Sequence, residues 1–208
     1  MAPNLPTLRL DGNNIFQGAT LKFIDGRWSL NGAGVRPDMR LLILATSRAL
    51  LRWSPFEAIV RKPGAELPDV DELNGKVPRE QWQIGLDSRP RAPWSLHRFV
   101  YGLDPADATI CTHHNSTYGT MQAVHELESR ITWMRALRGA EVLPLVKLGD
   151  AAMKTQYGER RRPEFVIVGW RVFAGPGVAL QIADQTANVL KAVEPLDLGE
   201  ELADQVPY

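Results

Sequence analysis

One stretch of the chain has the apolar spacing of an amphipathic helix, and this feature constrains the fold more than any other. Its apolar residues recur every three or four positions, which places them along one side of a helix. They are Met121, Val124, Leu127, Ile131, Met134 and Leu137. Ser116 or Thr117 can cap the start of this helix, and Gly139 can end it. We predict one main helix over residues 117–138, among segments that otherwise resemble strands.

Two segments have the pattern of β-hairpins. Residues 20–30 surround Asp25-Gly26, a turn pair that accepts positive φ. Residues 95–103 alternate between two faces, and a turn then leads into a second apolar segment at 108–113. Each segment predicts a pair of antiparallel strands.

The other strand candidates are less regular. Residues 39–53 are so apolar that periodicity does not distinguish a strand from a buried helix. We favour a pair of strands there, because Thr46-Ser47 interrupts the apolar run. Two further strands are predicted at 141–148 and 163–173, joined by a polar connection over 149–162.

The order of these elements suggests a class of fold. A helix between the third and fourth strands is the arrangement of the OB-fold, a five-stranded barrel. We therefore predict a β-rich α+β protein, built as an OB-like five-stranded barrel with one main helix. Other α+β sheets would produce the same order, so this alternative stays open.

A proline-rich insertion divides the predicted strands. Residues 54–93 contain six prolines, at positions 55, 63, 68, 78, 90 and 93. Regular structure cannot run far through such a segment. A long connection of this kind is usually a functional loop or an arm that wraps a neighbour.

The chain ends in an acidic segment. Residues 194–208 hold five acidic residues and no lysine or arginine, whereas the whole chain has 24 basic and 24 acidic residues. Residues 1–193 therefore carry a net charge of +5 and the tail −5. We predict an irregular lead-in at 1–19, one domain at 20–177, a short helix at 178–193 and a disordered tail at 194–208.

Several classes of function find no support in the sequence. The single cysteine, Cys111, cannot form an intrachain disulfide, and no spacing of cysteine and histidine suggests zinc. The adjacent His113 and His114 would point to opposite faces of a strand. No phosphate loop, dinucleotide fingerprint or serine elbow is present. We expect a cytoplasmic protein that is not an enzyme, has no cofactor or metal, and does not bind membranes.

A basic segment lies between the last two predicted strands. It contains Lys154, Tyr157, Arg160, Arg161 and Arg162. On a loop, these cations could neutralise phosphates while the tyrosine ring stacks on a base. A solvated loop is the alternative.

A second group of candidates lies on the strand at 95–103 and just before it. Trp94, Phe99 and Tyr101 could offer stacking faces, with Arg91 and Arg98 beside them. Core packing is the alternative for each aromatic ring. Trp170 shows the same ambiguity, since both faces of its predicted strand are apolar.

The last residues of the tail carry a resemblance to a known family. The chain ends with Asp204, Gln205, Val206, Pro207 and Tyr208, after Glu200-Glu201. This end resembles the acidic tip of bacterial and phage single-stranded DNA-binding proteins, which finish in Ile-Pro-Phe. The resemblance implies that Asp204, Val206, Pro207 and Tyr208 recruit replication or recombination proteins, and that the tip competes with DNA.

These observations lead to two hypotheses. The first is a single-stranded DNA-binding protein of a phage or mobile element, which coats DNA through basic and aromatic residues and could form a homo-oligomer. The second is a non-enzymatic phage structural, assembly or adaptor protein that uses the proline-rich segment 54–93 as an interaction arm.

Overall fold

A computed structural model describes residues 14–62, 64–85, 88–139, 142–156 and 158–172. The predicted helix at 178–193, the acidic tail and Tyr157 lie outside the described residues. The strands are β1 (Ala19–Ile24), β2 (Arg27–Leu30), β3 (Ala33–Gly34), β4 (Arg40–Trp53), β5 (Phe56–Val60), β6 (Gln83–Ile84), β7 (Pro90–Arg91), β8 (Trp94–Asp104), β9 (Thr109–Asn115), β10 (Val142–Thr155) and β11 (Gly158–Val172). The helices are α1 (Val70–Gly75), α2 (Tyr118–Arg138) and a 3-10 turn (Arg79–Gln81).

The two predicted hairpins and the predicted main helix are present. In the β1–β2 turn, Asp25 and Gly26 have φ values of 48° and 79°, the positive values that the turn pair favours. β8 and β9 form the second hairpin. α2 has Thr117 at its N-cap and ends at Gly139, whose φ of 96° glycine adopts without strain.

Two segments differ from their predicted secondary structure. Residues 40–53 form one strand rather than two, because β8 pairs with β4 on both sides of Thr46-Ser47 and a bulge at residues 43–45 absorbs the irregularity. Residues 149–155 and 158–162, predicted as a polar connection, are strand, since β10 and β11 pair from Val142↔Val172 to Thr155↔Gly158. The three arginines at 160–162 therefore lie on a strand.

The fold is β-rich, with a curled, half-barrel sheet and one main helix. Nine strands of the described residues join this sheet, in the order β11-β10-β4-β8-β9-β1-β2-β3 with β5 beside β4, so the expected five-stranded topology is not confirmed. The curl brings β2 to β10, although four strands lie between them in that order. Trp28 Nε1 donates a hydrogen bond of 2.7 Å to the Gly149 carbonyl.

The two faces of the sheet hold separate apolar clusters. On the helix face, Val124, Leu127 and Ile131 of α2 pack in a cluster with Leu41 and Val100 of the sheet. On the opposite face, here called the outer face, the clustered side chains are Ile15, Ala49, Leu51, Phe99 and Tyr101. The Tyr101 hydroxyl donates to the Ile15 carbonyl at 3.0 Å, so the residues before β1 cover the middle of this face.

The proline-rich segment is partly folded onto the domain. α1 is tied to the start of β8, because Asn74 Nδ2 donates to the Trp94 carbonyl and Asn74 Oδ1 accepts from the Trp94 amide. β5 pairs with β4 after a turn that contains a cis Ser54–Pro55 bond. An extended arm is not confirmed. No helix in the described part of the chain is long and apolar enough to cross a membrane.

Candidate nucleic-acid interface

The aromatic residues predicted to stack on bases lie in the interior. Trp94 is 7% exposed, and Phe99 and Tyr101 are 0% exposed. The residues before β1 cover Phe99 and Tyr101, and α1 holds the backbone of Trp94. The expectation that these three rings face a nucleic acid is therefore wrong in this structure, because none offers an open face.

The predicted cations have different surroundings. Arg91, Lys154 and Arg160 are exposed. Arg98 forms an ion pair with Glu128 at 3.0 Å, and Arg162 Nη2 donates to both carboxylate oxygens of Glu126 at 3.0 Å. Arg161 pairs with Asp150. Three of the six predicted cations thus form ion pairs within the fold, and Lys154 and Arg160 are exposed where a polyanion could reach them.

Trp170 joins the core rather than an open face. It packs against the helix-face cluster together with Ile167, whereas Val166 and Val168 are 38% and 42% exposed. The reason is a bulge, since Val146 pairs with Ile167 and Leu145 pairs with Gly169, which leaves Val168 as an extra residue. The alternation in the sequence predicts Trp170 on the same face as Val166 and Val168, because it does not show that Val168 is an extra residue in the strand.

An exposed aromatic surface occurs elsewhere, on the outer face. Phe16, Trp53 and Phe56 are 39%, 52% and 47% exposed, respectively. Their ring centroids lie 5.7 to 6.2 Å apart, so each ring contacts the other two. We call these three residues the aromatic patch. Exposed aromatic rings in mutual contact are uncommon on a protein that has no partner for them.

The local sequence explains how the patch forms. Trp53 pairs with Phe56 across the Ser54–Pro55 turn, so the two rings leave the same side of the hairpin. Phe16 follows the buried Ile15 and stacks on Trp53 at an interplanar angle of 30°. Two aromatic residues that flank a Ser-Pro turn were a detectable signal, but the contribution of Phe16 depends on a long-range contact.

Two histidines support the patch from below. His114 lies 4.9 Å from Phe16 and 5.2 Å from Phe99, measured between ring centroids, and His97 lies 5.9 Å from Trp53. Their Nδ1 atoms are 3.5 Å apart. Burial, and then the charge of His114, lowers the pKa of His97 to about 4. Burial and the charge of Lys22 lower the pKa of His114. Both rings are therefore neutral near pH 7.

A cation lies beside this histidine pair. Lys22 is exposed and, together with Ile24 and Asn115, lines a hollow of about 210 Å³ next to His97 and His114. This end of the outer face thus offers aromatic rings for stacking and an ammonium group for a phosphate.

Two further titratable side chains, His113 and Cys111, lie in the interior. His113 and His114 lie on opposite faces, as predicted, and His113 Nδ1 is 3.1 Å from the Leu21 carbonyl. Burial raises the pKa of the Cys111 thiol to about 12, which keeps it protonated. Within the described ranges, no group of three or more histidine, cysteine, aspartate or glutamate residues could hold a metal ion.

Comparisons with models of protein families, with curated proteins and with solved structures found no match.

Proposed function

We propose that this protein binds single-stranded DNA, and that the aromatic patch is the surface on which bases stack. The observation that carries the proposal is the exposure of three contacting rings, Phe16, Trp53 and Phe56, on one face of a curled sheet. Proteins that bind single strands combine such rings with basic residues that follow the backbone. Such rings predict a preference for single strands over double strands, because bases in a duplex are already stacked on each other.

Positive charge supports the same proposal. Lys22 lies next to the histidines under the patch, and Lys154 and Arg160 are exposed on the β10–β11 hairpin. Residues 1–193 carry a net charge of +5, which favours encounter with a polyanion. In this proposal the patch supplies base contacts, and the dispersed cations supply a binding term that depends on salt.

The acidic tail completes the proposal. In it, Asp204, Val206, Pro207 and Tyr208 recruit replication or recombination proteins, as the resemblance to single-stranded DNA-binding proteins implies. A terminal aromatic ring after a proline suits a small pocket on a partner, and the free carboxylate suits a basic side chain there. An OB-like topology, a phage or mobile-element source and a cytoplasmic location belong to the same proposal.

The experiment is a fluorescence-anisotropy titration of labelled oligo(dT) with the full chain and with the double variant W53A/F56A. We expect the variant to bind about 10- to 100-fold more weakly, since each stacked base contributes about 1–3 kcal/mol by alanine substitution. W133A is the matched control, because Trp133 is 74% exposed and lies on α2, away from the patch. Equal affinity of wild type and W53A/F56A, or equal affinity for single and double strands, would contradict the proposal.

A second candidate function rests on other exposed apolar residues. Trp133 and Leu137 lie one turn apart on α2 and are 74% and 78% exposed, and Ile84 of the proline-rich segment is 65% exposed. These residues favour an interaction or assembly protein. Sedimentation of wild type and W133Q/L137Q distinguishes the two candidates. If the variant loses a self-association that wild type shows, and neither binds oligo(dT), the interaction function replaces DNA binding.

A further inference from the structure

A groove opens beside β4, at a place where the sheet lacks a strand. β10 pairs with β4 only at residues 40–42, and β5 pairs with it only from Ala49 onward. Between these two contacts, no strand of the described residues pairs with this edge of β4. Residues 43–46 form one side of a groove of about 350 Å³, and residues 128–135 of α2 form the other.

Arginine dominates the charge of this groove. Arg48, Arg61 and Arg135 line it, whereas Glu128 is the one acidic residue in its lining. Glu128 is already shared between two guanidinium groups, because its Oε2 accepts from Arg48 Nη2 at 3.1 Å and from Arg98 Nη1 at 3.0 Å. The lining therefore holds three arginines and one carboxylate, which Arg98 shares from outside the lining, so the groove keeps an excess of positive charge.

Two further acids lie beside the groove but outside its lining. Glu66 and Asp69 line an adjoining hollow of about 370 Å³, which shares Arg48 and Arg61 with the groove. Asp69 caps α1, since its Oδ1 accepts from the backbone amides of Asp71 and Glu72. These two carboxylates lie in the lining of the hollow and not in that of the groove.

Two of the arginines, Arg48 and Arg98, are held close together in a partly buried setting at the base of the groove, whereas Arg61 and Arg135 are exposed. Arg98 is 9% exposed, and burial followed by the charge of Arg48 lowers its pKa. The Nε atoms of Arg48 and Arg98 are buried and have no hydrogen-bond partner in the described part of the chain. Solvent screens charges less in such a place than on an open surface, so a bound anion would gain more here.

We propose that this groove is a phosphate-binding site, in which Arg48, Arg61 and Arg135 hold a phosphate group of a nucleotide or of a nucleic-acid backbone. Planar guanidinium groups donate paired hydrogen bonds to phosphate oxygens. Arg48 points to the helix face of β4, because it donates to Glu128 of α2, whereas Trp53 lies on the outer face. The site is thus separate from the aromatic patch and does not depend on the function proposed for that patch.

An acidic peptide that pairs with the open edge of β4 is the main competitor. Such a peptide would bind mainly through backbone hydrogen bonds and through pockets for alternate side chains. The charged lining of the groove, with three arginines against one glutamate, fits the dense charge of phosphate better. An oligo-glutamate peptide therefore belongs in the test as a competing probe.

The test is calorimetric titration of the full chain with inorganic pyrophosphate, dTMP and oligo(dT). The variant is R61Q/R135Q. The matched control R130Q/R138Q removes two exposed arginines from α2, the helix that carries Arg135, and changes the net charge by the same amount. We expect R61Q/R135Q to lower the affinity for the bound probes by at least about tenfold, since each charged hydrogen bond is worth roughly that much. The control should stay within about twofold of wild type.

The probes separate the two sources of phosphate. Binding of pyrophosphate and dTMP that R61Q/R135Q weakens assigns the site to a free phosphate ligand. Binding of oligo(dT) alone that the same variant weakens assigns it to a nucleic-acid backbone. W53A/F56A should leave pyrophosphate binding unchanged, so failure of the aromatic patch and failure of the groove give different results.

The proposal would be overturned if no probe binds, or if R61Q/R135Q binds every probe like wild type. It would also be overturned if R61Q/R135Q and its control R130Q/R138Q lose affinity equally, or if oligo-glutamate binds more tightly than every phosphate probe. A second variant keeps the test valid if R61Q/R135Q does not fold. Glu128→Gln removes the one carboxylate of the lining, and we expect it to raise the affinity for whichever phosphate probe the wild type binds by about threefold or more. Unchanged or weaker binding by a folded Glu128→Gln variant would also overturn the site.

Discussion

Arg160, Arg161 and Arg162 are consecutive in the chain, but their surroundings differ. Arg160 is exposed, whereas the side chain of Arg162 is 11% exposed and donates to both oxygens of Glu126. We expect Arg160→Glu to change the free energy of unfolding by less than about 0.5 kcal/mol and to weaken oligo(dT) binding. Arg162→Glu should cost about 1–3 kcal/mol, because two carboxylates would then face each other. Urea unfolding measures the stability of both variants, and anisotropy titration measures the binding of oligo(dT) to Arg160→Glu. Equal destabilisation by the two variants would contradict this account.

The buried histidines predict a loss of stability in acid. Burial lowers the pKa of both His97 and His113 to about 4, below the ordinary value of 6.5 that these groups have in the unfolded chain. The unfolded state therefore binds more protons between these values, so stability is complete above about pH 6.5 and falls as the pH drops toward 4. Urea unfolding across this range measures the slope.

A variant tests whether the histidines cause this slope. His97→Gln removes one titrating ring next to the aromatic patch, and we expect a shallower fall in unfolding free energy between about pH 6.5 and pH 4.5. A slope equal to that of wild type would show that carboxylates dominate the acid response instead.

For single residues, the sequence predicted which side chains share a face of a strand, but not which of those faces is exposed. The alternation predicted for residues 95–103 is present, since His97, Phe99 and Tyr101 lie on one face of β8. It could not show that this face is covered, because the cover comes from Ile15, which is more than 80 positions away. Stacking residues and core residues have the same local pattern, and only a long-range contact separates them.

The start of α2 and the β10–β11 hairpin are packed closely together at one glycine. A Cβ added at Gly119 would lie 2.9 Å from Arg162 Cβ, whereas one added at Gly75, at the end of α1, would meet nothing within 4 Å. We expect Gly119→Ala to cost about 1–3 kcal/mol because it forces the helix away from the hairpin. Gly75→Ala is the control, with a neutral or slightly stabilising effect of up to about 1 kcal/mol. Thermal melting measures the stability of both variants. A neutral effect of Gly119→Ala would show that α2 and the β10–β11 hairpin are not closely packed at this glycine.

Elements with a local signal were predictable, and elements that depend on partners were not. α2 has its own apolar period, and its observed bounds of 118 and 138 differ from the predicted ones by a single residue. The polar residues 149–155 and 158–162 form strands only because β10 and β11 pair with each other. The continuity of β4 across Thr46-Ser47 likewise depends on its pairing with β8.

For the whole molecule, the zero net charge divides into two parts of opposite sign. Removing residues 194–208 takes away five acidic residues and no basic ones, which leaves a chain of net charge +5. We expect this truncation to bind oligo(dT) more tightly than the full chain at low salt, and the difference to shrink as salt screens both parts. Anisotropy titrations at several salt concentrations measure it. Equal affinity of the two chains at low salt would remove the tail from the account.

The architecture of the sheet was the least predictable feature. The parallel pairing of β1 with β9 and the contact of Trp28 with Gly149 join residues far apart in the chain. The aromatic patch arises in the same way, because Phe16 meets the β4–β5 turn only in the folded chain. Composition and spacing indicated a β-rich domain with one helix, and the surface proposed to bind DNA became visible only with the fold.

The most direct test of the central claim is the quenching of tryptophan fluorescence by oligo(dT), compared between wild type and Trp53→Phe. Phenylalanine keeps a stacking face but removes the indole, so the variant should bind oligo(dT) with an affinity within about fivefold of wild type and lose most of the quenching. That result would place a DNA base on Trp53. Quenching of the same size in both proteins, or no quenching in wild type, would contradict the claim that the aromatic patch binds single-stranded DNA.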